Sequence, residues 1–445
     1  MAKACKLEVN LHWIHHWLNL WKNKIIPKKM TKIHNIVATC VLLGSCSASF
    51  VVLATVILAN SDCIVPLQGL ASRESVSCDF SHPSTSICSL QGDVRVKGSN
   101  LTVALTSANQ SAHSNVLAKI RPYTRKWEKM MKTIGEVNMV SLPKSKQMAC
   151  DVRHSVPAVI FSTGGYTGSI FHDFNDGLVP LFITAQRFKG EVVFMVLQFK
   201  HWWPGKYAPI LKHLTHYPVV DFDREQLVHC FPKVIVGLRI HGDLLIEEGL
   251  AGTSMRSFQN LLDIALNPGQ VVLPKTKPML VLVNRETSRV IVNRNETIAL
   301  AEKLGYEVHT FAPNFNTRLS EIYSLLHSAD VLIGVHGAAL THFLFMRPGS
   351  TLIQIIPFGL NGPAETCFGR PAEKAGLNYV GYQILPSEST LSDEFGLNHT
   401  VIVNPDEVTA KGWTERKRIY LDGQNIRLHL PRLEQILKDV LTRHQ

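Results

Sequence analysis

Residues 330–346 read DVLIGVHGAALTHFLFM: a short apolar run, a turn through Gly334, His336 and Gly337, then a longer apolar stretch. A strand that turns sharply into a helix in this way is one step of a parallel sheet with crossover helices. Working outward, PMLVLVNR (278–285) is a buried-strand run. NETIALAEKLG (295–305) starts on Asn, keeps a helical period and stops at Gly305, and YEVHTFAP (306–313) is a second strand. LSEIYSLLHSA (319–329), TLIQIIPF (351–358), PAEKAGL (371–377) and YVGYQI (379–384) continue the alternation, and PRLEQILKDVLTR (431–443) closes it as a helix. Upstream, PAVIFST (157–163), EVVFMVLQF (191–199) and KVIVGLRI (233–240) read as strands and SFQNLLDIAL (257–266) as a helix. Pro268, Gly269, Pro274 and Pro278 punctuate the join. The expectation is an α/β chain of two Rossmann-like domains facing a cleft, residues 115–275 and 276–445.

The 445 residues carry a net charge of +11, which alone would suit a nucleic-acid binder. Seven lysines against one acid fall within residues 1–34, and beyond them 39 bases face 34 acids with no basic stripe, so nucleic acid is not required. Residues 35–59, NIVATCVLLGSCSASFVVLATVILA, hold no charge over 25 positions, enough helix to cross a bilayer core of about 30 Å. The lysines precede this run, so we expect a signal anchor with residues 1–34 cytosolic and the rest across the membrane. A cleaved signal peptide would have a shorter basic region and apolar stretch. Residues 60–114, rich in Ser, Thr, Asn and Gly, read as a stem passing into an irregular lead-in. Six cysteines follow the span, among them Cys78 and Cys88 flanking a Ser/Pro loop as the preferred disulfide pair. All four N-glycosylation sequons, at Asn100, Asn109, Asn295 and Asn398, also follow it.

Three clusters can carry chemistry. The turn at His336, Gly337 and Ala338 offers backbone N–H groups to an anion such as a diphosphate, and Arg285 and Arg289 in NRETSRVIVN emerge from a strand end on the same rim. Asn293 and Arg294 follow more weakly. In FSTGGYTGSIFHDFNDGLVPLF (161–182), His172 with Asp173 or Asp176 is suited to taking a hydroxyl proton, although these residues could equally cap a helix. Trp202 and Trp203 in FKHWWPGKY offer a sugar-stacking patch on the acceptor side. The triplet Asp221, Phe222, Asp223 resembles a metal-chelating D-x-D but reads more simply as a strand-end turn, so no metal is expected. C-x-x-C, H-E-x-x-H, G-x-S-x-G and Walker patterns do not occur.

GVHGAALTHFLFMRPGSTLIQIIPFG (334–359), FSTGGYTGSIFHDFNDGLVPLF and ERKRIYLDGQNIRL (415–428) together resemble the plant branch of glycosyltransferase family 61, over roughly residues 78–430. Ser169 stands where the family motif has Asn, and NGPAETCFG (361–369) replaces a more aromatic stretch. The resemblance implies a GT-B fold and a Golgi enzyme that decorates xylan, as an α-1,3-arabinofuranosyltransferase or a β-1,2-xylosyltransferase. The donor would be UDP-arabinofuranose or UDP-xylose and transfer would invert the anomeric carbon. His336, Gly337 and Ala338 would hold the donor diphosphate beside Arg285 and Arg289, and His172 with Asp173 would face the acceptor. A Golgi glycan-binding scaffold with a decayed site, or a nucleotide-sugar hydrolase, are the competing expectations.

Overall fold

The computed structural model describes residues 74–107, 114–249, 252–267, 269 and 275–443. The basic tail, the apolar run 35–59, Cys63 and Asn109 lie outside them. Among the described residues no helix is long and apolar enough to cross a membrane.

Residues 72–445 cluster as one compact unit built on two sheets. The smaller is wholly parallel and runs, edge to edge, Glu307–Phe311, Met279–Val283, Val331–Val335, Thr351–Ile356, Asn378–Gln383. Numbered along the chain, that order is 2-1-3-4-5. Helices cover both faces, so Met279–Val283 and Val331–Val335 are buried at every position and read as unbroken apolar runs. Gly334 is required between them: a Cβ there would stand 2.8 Å from Cβ of Val283. The strand order reverses between Met279–Val283 and Val331–Val335, and ligands of such sheets bind outside the carboxyl ends of the strands at that point.

The larger sheet has ten strands. Its path is Asn115–Ile120, Val137–Pro143, Thr102–Ser107, Ile87–Lys97, Val228–Val236, Ala158–Ser162, Val193–Leu197 and Val220–Asp221. Ser75–Asp79 pairs with Ile87–Lys97, and Val152–Arg153 with Val228–Val236. The last four strands of the path are the expected parallel half. The rest of the path, antiparallel except where Thr102–Ser107 pairs in parallel with Val137–Pro143, corrects the sequence reading. Much of the lead-in expected to be irregular is strand, and Leu90, Val94, Val96 and Val103 are fully buried core. Its alternating polar residues, as in ICSLQGDVRVK, face outward and dilute the apolar signal.

Cys78 and Cys88 form the expected disulfide across the register of Ser75–Asp79 and Ile87–Lys97, and Cys150 pairs with Cys230, whereas Cys367 is free. One apolar core runs through both sheets' helices. Phe174 packs edge-on against Phe258 and Phe345, and the helix Met255–Leu266, capped by Ser254, lies against Leu319–Ser328 of the other half, with Tyr323 donating to Asp263 at 3.0 Å. The Pro-rich join therefore connects halves that are packed together.

Candidate active site

The loop after Ala158–Ser162 enters a helix whose register changes at once: Ile170–His172 is α-helical, Asp173–Leu178 is a π-helical stretch, and Val179–Ala185 is α-helical again. Such π stretches are rare and cluster at functional sites. His172 and Asp176 share a face here, and His172 Nδ1 meets Asp176 Oδ2 at 2.7 Å. Asp176 is 2% exposed and densely held, by Nε of Arg125 at 2.9 Å, the Tyr123 hydroxyl at 2.8 Å and Nδ2 of Asn175 at 2.7 Å. Burial by itself would raise its pKa. The His172 hydrogen bond and the Arg125 charge outweigh it and hold the carboxyl below the usual range. An ionised Asp176 accepts a hydrogen bond from Nδ1–H of His172, so in the neutral ring Nε2 is the acceptor, and the ring stays partly exposed.

Asp173 does not share this role. Its two oxygens are taken by the Gly168 N–H at 2.9 Å and the Tyr207 hydroxyl at 2.7 Å, and it is 2% exposed, so it anchors the glycine loop instead of touching a substrate. Burial raises its pKa despite those bonds. Trp203 is likewise removed from the acceptor face. On the helix Trp202–Leu211, Trp203, Tyr207, Ile210 and Leu211 form the inward stripe, and Trp203 packs against Phe161. Trp202 is half-buried, edge-on to Phe315 of the other half at 5.0 Å.

The second cluster sits at the switch point of the parallel sheet. Arg285 and Arg289 follow Met279–Val283; His336 and Gly337 follow Val331–Val335. Arg289 donates to the His336 carbonyl at 2.7 Å, and Arg285 to the Ser288 carbonyl at 2.8 Å. The guanidiniums lie so close over Gly337 that a Cβ there would stand 2.7 Å from Nη1 of Arg285 and 3.4 Å from Nη1 of Arg289. Among the described residues neither is ion-paired. Burial lowers the Arg285 pKa, and burial together with the Arg285 charge brings Arg289 down to about 10 against a partial offset from Asp422. Arg289 has a left-handed backbone (φ 54°), and its Nε is buried with no partner. Two part-buried guanidiniums with no ion-pair partner among the described residues, one of them on a left-handed backbone, are a ready site for an anion.

His336 is buried beside them. Its Nδ1 accepts from Nε2 of Gln354 at 2.8 Å, and the Gln354 carbonyl oxygen accepts from the Tyr379 hydroxyl at 2.8 Å. Burial, then the charges of Arg289 and Arg285, depress its pKa to about 3, so the ring is neutral with the proton on Nε2. The stretch after Gly337, expected as a helix, is a 3-10 helix, Ala338–Phe345, and the two guanidiniums stand over its start at Gly337. An open cleft of about 460 Å³ lined by Arg285, Glu286, Val290–Val292 and Asn293–Glu296 adjoins them. Asn293 is committed elsewhere, its side-chain amide exchanging two hydrogen bonds with the backbone of Leu428. Arg294 bonds to Asn284.

An aromatic chain joins the two clusters: Phe171 is edge-on to His172 at 5.2 Å and to Phe368 at 5.8 Å, and Phe368 is edge-on to His336 at 5.3 Å. Arg125, Tyr123, Gln354, Tyr379 and Phe368 were not legible as site residues, because long-range pairing alone brings them there. Asp223 accepts from the N–H groups of Gln198 and Phe199, in the loop that follows Val193–Leu197, and among the described residues no cluster suited to a metal occurs. Asn100 and Asn398 are exposed. Asn295 is exposed too, but Thr297 of its sequon is buried in the helix Arg294–Lys303.

The glycosyltransferase 61 family model matches residues 12–353. The chain is 41% identical over 391 residues to the xylan glycosyltransferase MUCI21 of Arabidopsis thaliana, covering 82% of this chain and 79% of that one. It is 36% identical to the α-1,3-arabinosyltransferase XAT2 of Oryza sativa subsp. japonica, over 82% of this chain and 64% of the longer relative. To the β-1,2-xylosyltransferase XYXT1 of the same plant it is 34% identical, over 82% of this chain and 83% of that one.

Proposed function

The chain belongs to the glycosyltransferase 61 family and is a glycosyltransferase, and from that premise we propose that it transfers a pentose from a UDP-sugar onto xylan with inversion. The pentose is arabinofuranose, joined through an α-1,3 bond. One observation carries the reading: a proton acceptor pinned by a buried carboxylate is joined through Phe171 and Phe368 to His336, beside two part-buried guanidiniums that have no ion-pair partner among the described residues. The polypeptide has the two-lobed GT-B organisation, with the acceptor on the lobe of the larger sheet and the nucleotide on the other.

The reaction is a single displacement. A xylosyl hydroxyl oxygen bonds to the anomeric carbon, the bond from that carbon to the β-phosphate oxygen breaks, and its electron pair leaves with UDP. The hydroxyl proton passes to Nε2 of His172, whose imidazolium Asp176 stabilises through Nδ1. Arg285 and Arg289 neutralise the charge that grows on the diphosphate, in a buried setting where such stabilisation is strong. Neutral His336 contributes an Nε2–H donor. The two disulfides and the sequence order of lysines and apolar run support a type II protein of the Golgi membrane with this unit in the lumen.

The test incubates the full-length protein with UDP-arabinofuranose and, separately, UDP-xylose on xylo-oligosaccharides, and identifies products by mass and linkage. The expected product carries an α-1,3-arabinofuranosyl branch. A β-1,2-xylosyl product overturns the sugar assignment, UDP release without a glycan product makes the protein a hydrolase, and absence of UDP binding makes it a scaffold.

A further inference from the structure

Trp127 and Tyr166 stand out among the described aromatic residues because both are substantially exposed, 59% and 40%, and both flank Arg125, which holds Asp176 behind the proton acceptor. They are not scattered surface rings. Tyr166 stacks on His172 with ring centres 4.7 Å apart and planes 28° from parallel. The Arg125 guanidinium lies between the two aromatics, 5.8 Å from the Tyr166 ring and 5.7 Å from the Trp127 ring. Glu128 fixes the set, accepting from the Tyr166 hydroxyl at 2.7 Å and from Arg125 at 2.9 Å. The result is a braced aromatic surface that starts at His172 and runs outward.

We infer that Trp127 and Tyr166 form an acceptor subsite, stacking pyranose rings of the polysaccharide adjacent to the residue whose hydroxyl reacts. The inference rests on the reading of His172 as the base. Pyranose rings present a C–H face that packs on aromatic faces, and Trp and Tyr offer such area at low entropic cost. Arg125 is already matched by Asp176 and Glu128, so what the platform presents to a ligand is the ring faces and not that guanidinium charge. On the helix Trp202–Leu211, by contrast, Trp203 is core and Trp202 is edge-on to Phe315.

The experiment compares full-length wild type with Trp127→Ala, Trp127→Phe and, as a distant exposed tryptophan, Trp413→Ala, on short and long xylo-oligosaccharides. Trp127→Ala is expected to raise the KM for long acceptors roughly tenfold, the loss of one stacking contact, while the KM for the UDP-sugar stays in place. Trp127→Phe recovers most of the loss and Trp413→Ala shows none. An acceptor KM for Trp127→Ala equal to wild type overturns the subsite. Native electrophoresis through gels containing neutral xylan separates this from the reaction itself. Retarded wild type with unretarded Trp127→Ala, in a protein that transfers no pentose, upholds the subsite and rejects the transfer reaction. Transfer with equal retardation of both does the reverse.

Discussion

The Asp176 carboxylate lies 2.7 Å from Nδ1 of His172, one helical turn away and sealed from solvent. This pairing fixes which ring nitrogen can accept a proton, and its loss has a specific signature. His172→Gln keeps the Asp176–Arg125 ion pair, so the protein is expected to melt as wild type while kcat falls by roughly 10²- to 10⁴-fold, the usual yield of general base catalysis. Asp176→Asn should lose comparable rate and also stability, because the buried Arg125 then keeps Glu128 alone as its carboxylate partner. Steady-state kinetics beside circular dichroism melts distinguish the two. Retention of wild-type kcat by His172→Gln would reject the base.

Gly337 is the second fixed point, since it sits beneath both guanidiniums. Gly337→Ala forces the Arg285 side chain aside, and UDP affinity by calorimetry is expected to drop roughly tenfold or more, one to two charge-assisted hydrogen bonds' worth. Gly362→Ala, where a Cβ meets open space, should bind UDP as wild type does. Equal affinities for both variants would place the diphosphate elsewhere.

The second half of the chain was legible because strands buried on both faces are continuous apolar words: VLIGV and MLVLV could hardly be anything else, and the glycines at 334 and 337 marked the turn out of the switch-point strand. The first half was less legible for a physical reason. ICSLQGDVRVK alternates, and a strand with one solvated face looks like loop when Ser, Gln and Asp dominate the polar positions. Within the site, His172 was visible from its motif, but the choice between Asp173 and Asp176 was not. Adjacent and one-turn-away carboxylates are equivalent in sequence, and the π-helical register together with Arg125, 51 residues upstream of Asp176, decides between them. Trp203 misled because a solvent-side and a core-side tryptophan differ only in helical phase.

Stability should fall with acid in two separate windows. His336 and His342 are both buried, with pKa values depressed to about 3 and about 4 by burial above all. Their unfolded forms take up protons near pH 6.5 while the folded forms do not, so the stability they confer is complete above about 6.5 and is lost as pH drops, by up to about 1.4 kcal/mol per unit for each ring. Asp176 acts lower. Its folded pKa is below the unfolded value of about 3.9, so its contribution is present above that value and disappears as pH falls through the folded one. Urea melts from pH 7 to 3 should show the first loss in wild type and a smaller one in His342→Asn. Identical slopes would mean that His342 is charged in the folded protein.

Strain without a partner is concentrated at Arg289. This residue keeps a left-handed backbone, a buried Nε with nothing to bond and a neighbouring guanidinium that repels it, an arrangement that costs free energy until an anion arrives. Binding of UDP should therefore stabilise the fold markedly, by about 2.7 kcal/mol at a hundredfold excess over Kd for a simple one-site ligand. Because two guanidiniums supply the positive charge, the shift should persist in EDTA. Arg289→Gly removes both the left-handed strain and the site, so its ligand-free melting temperature should equal or exceed that of wild type while the UDP-induced shift vanishes. A variant that melts lower and still responds to UDP would show that Arg289 braces the His336 carbonyl and nothing more.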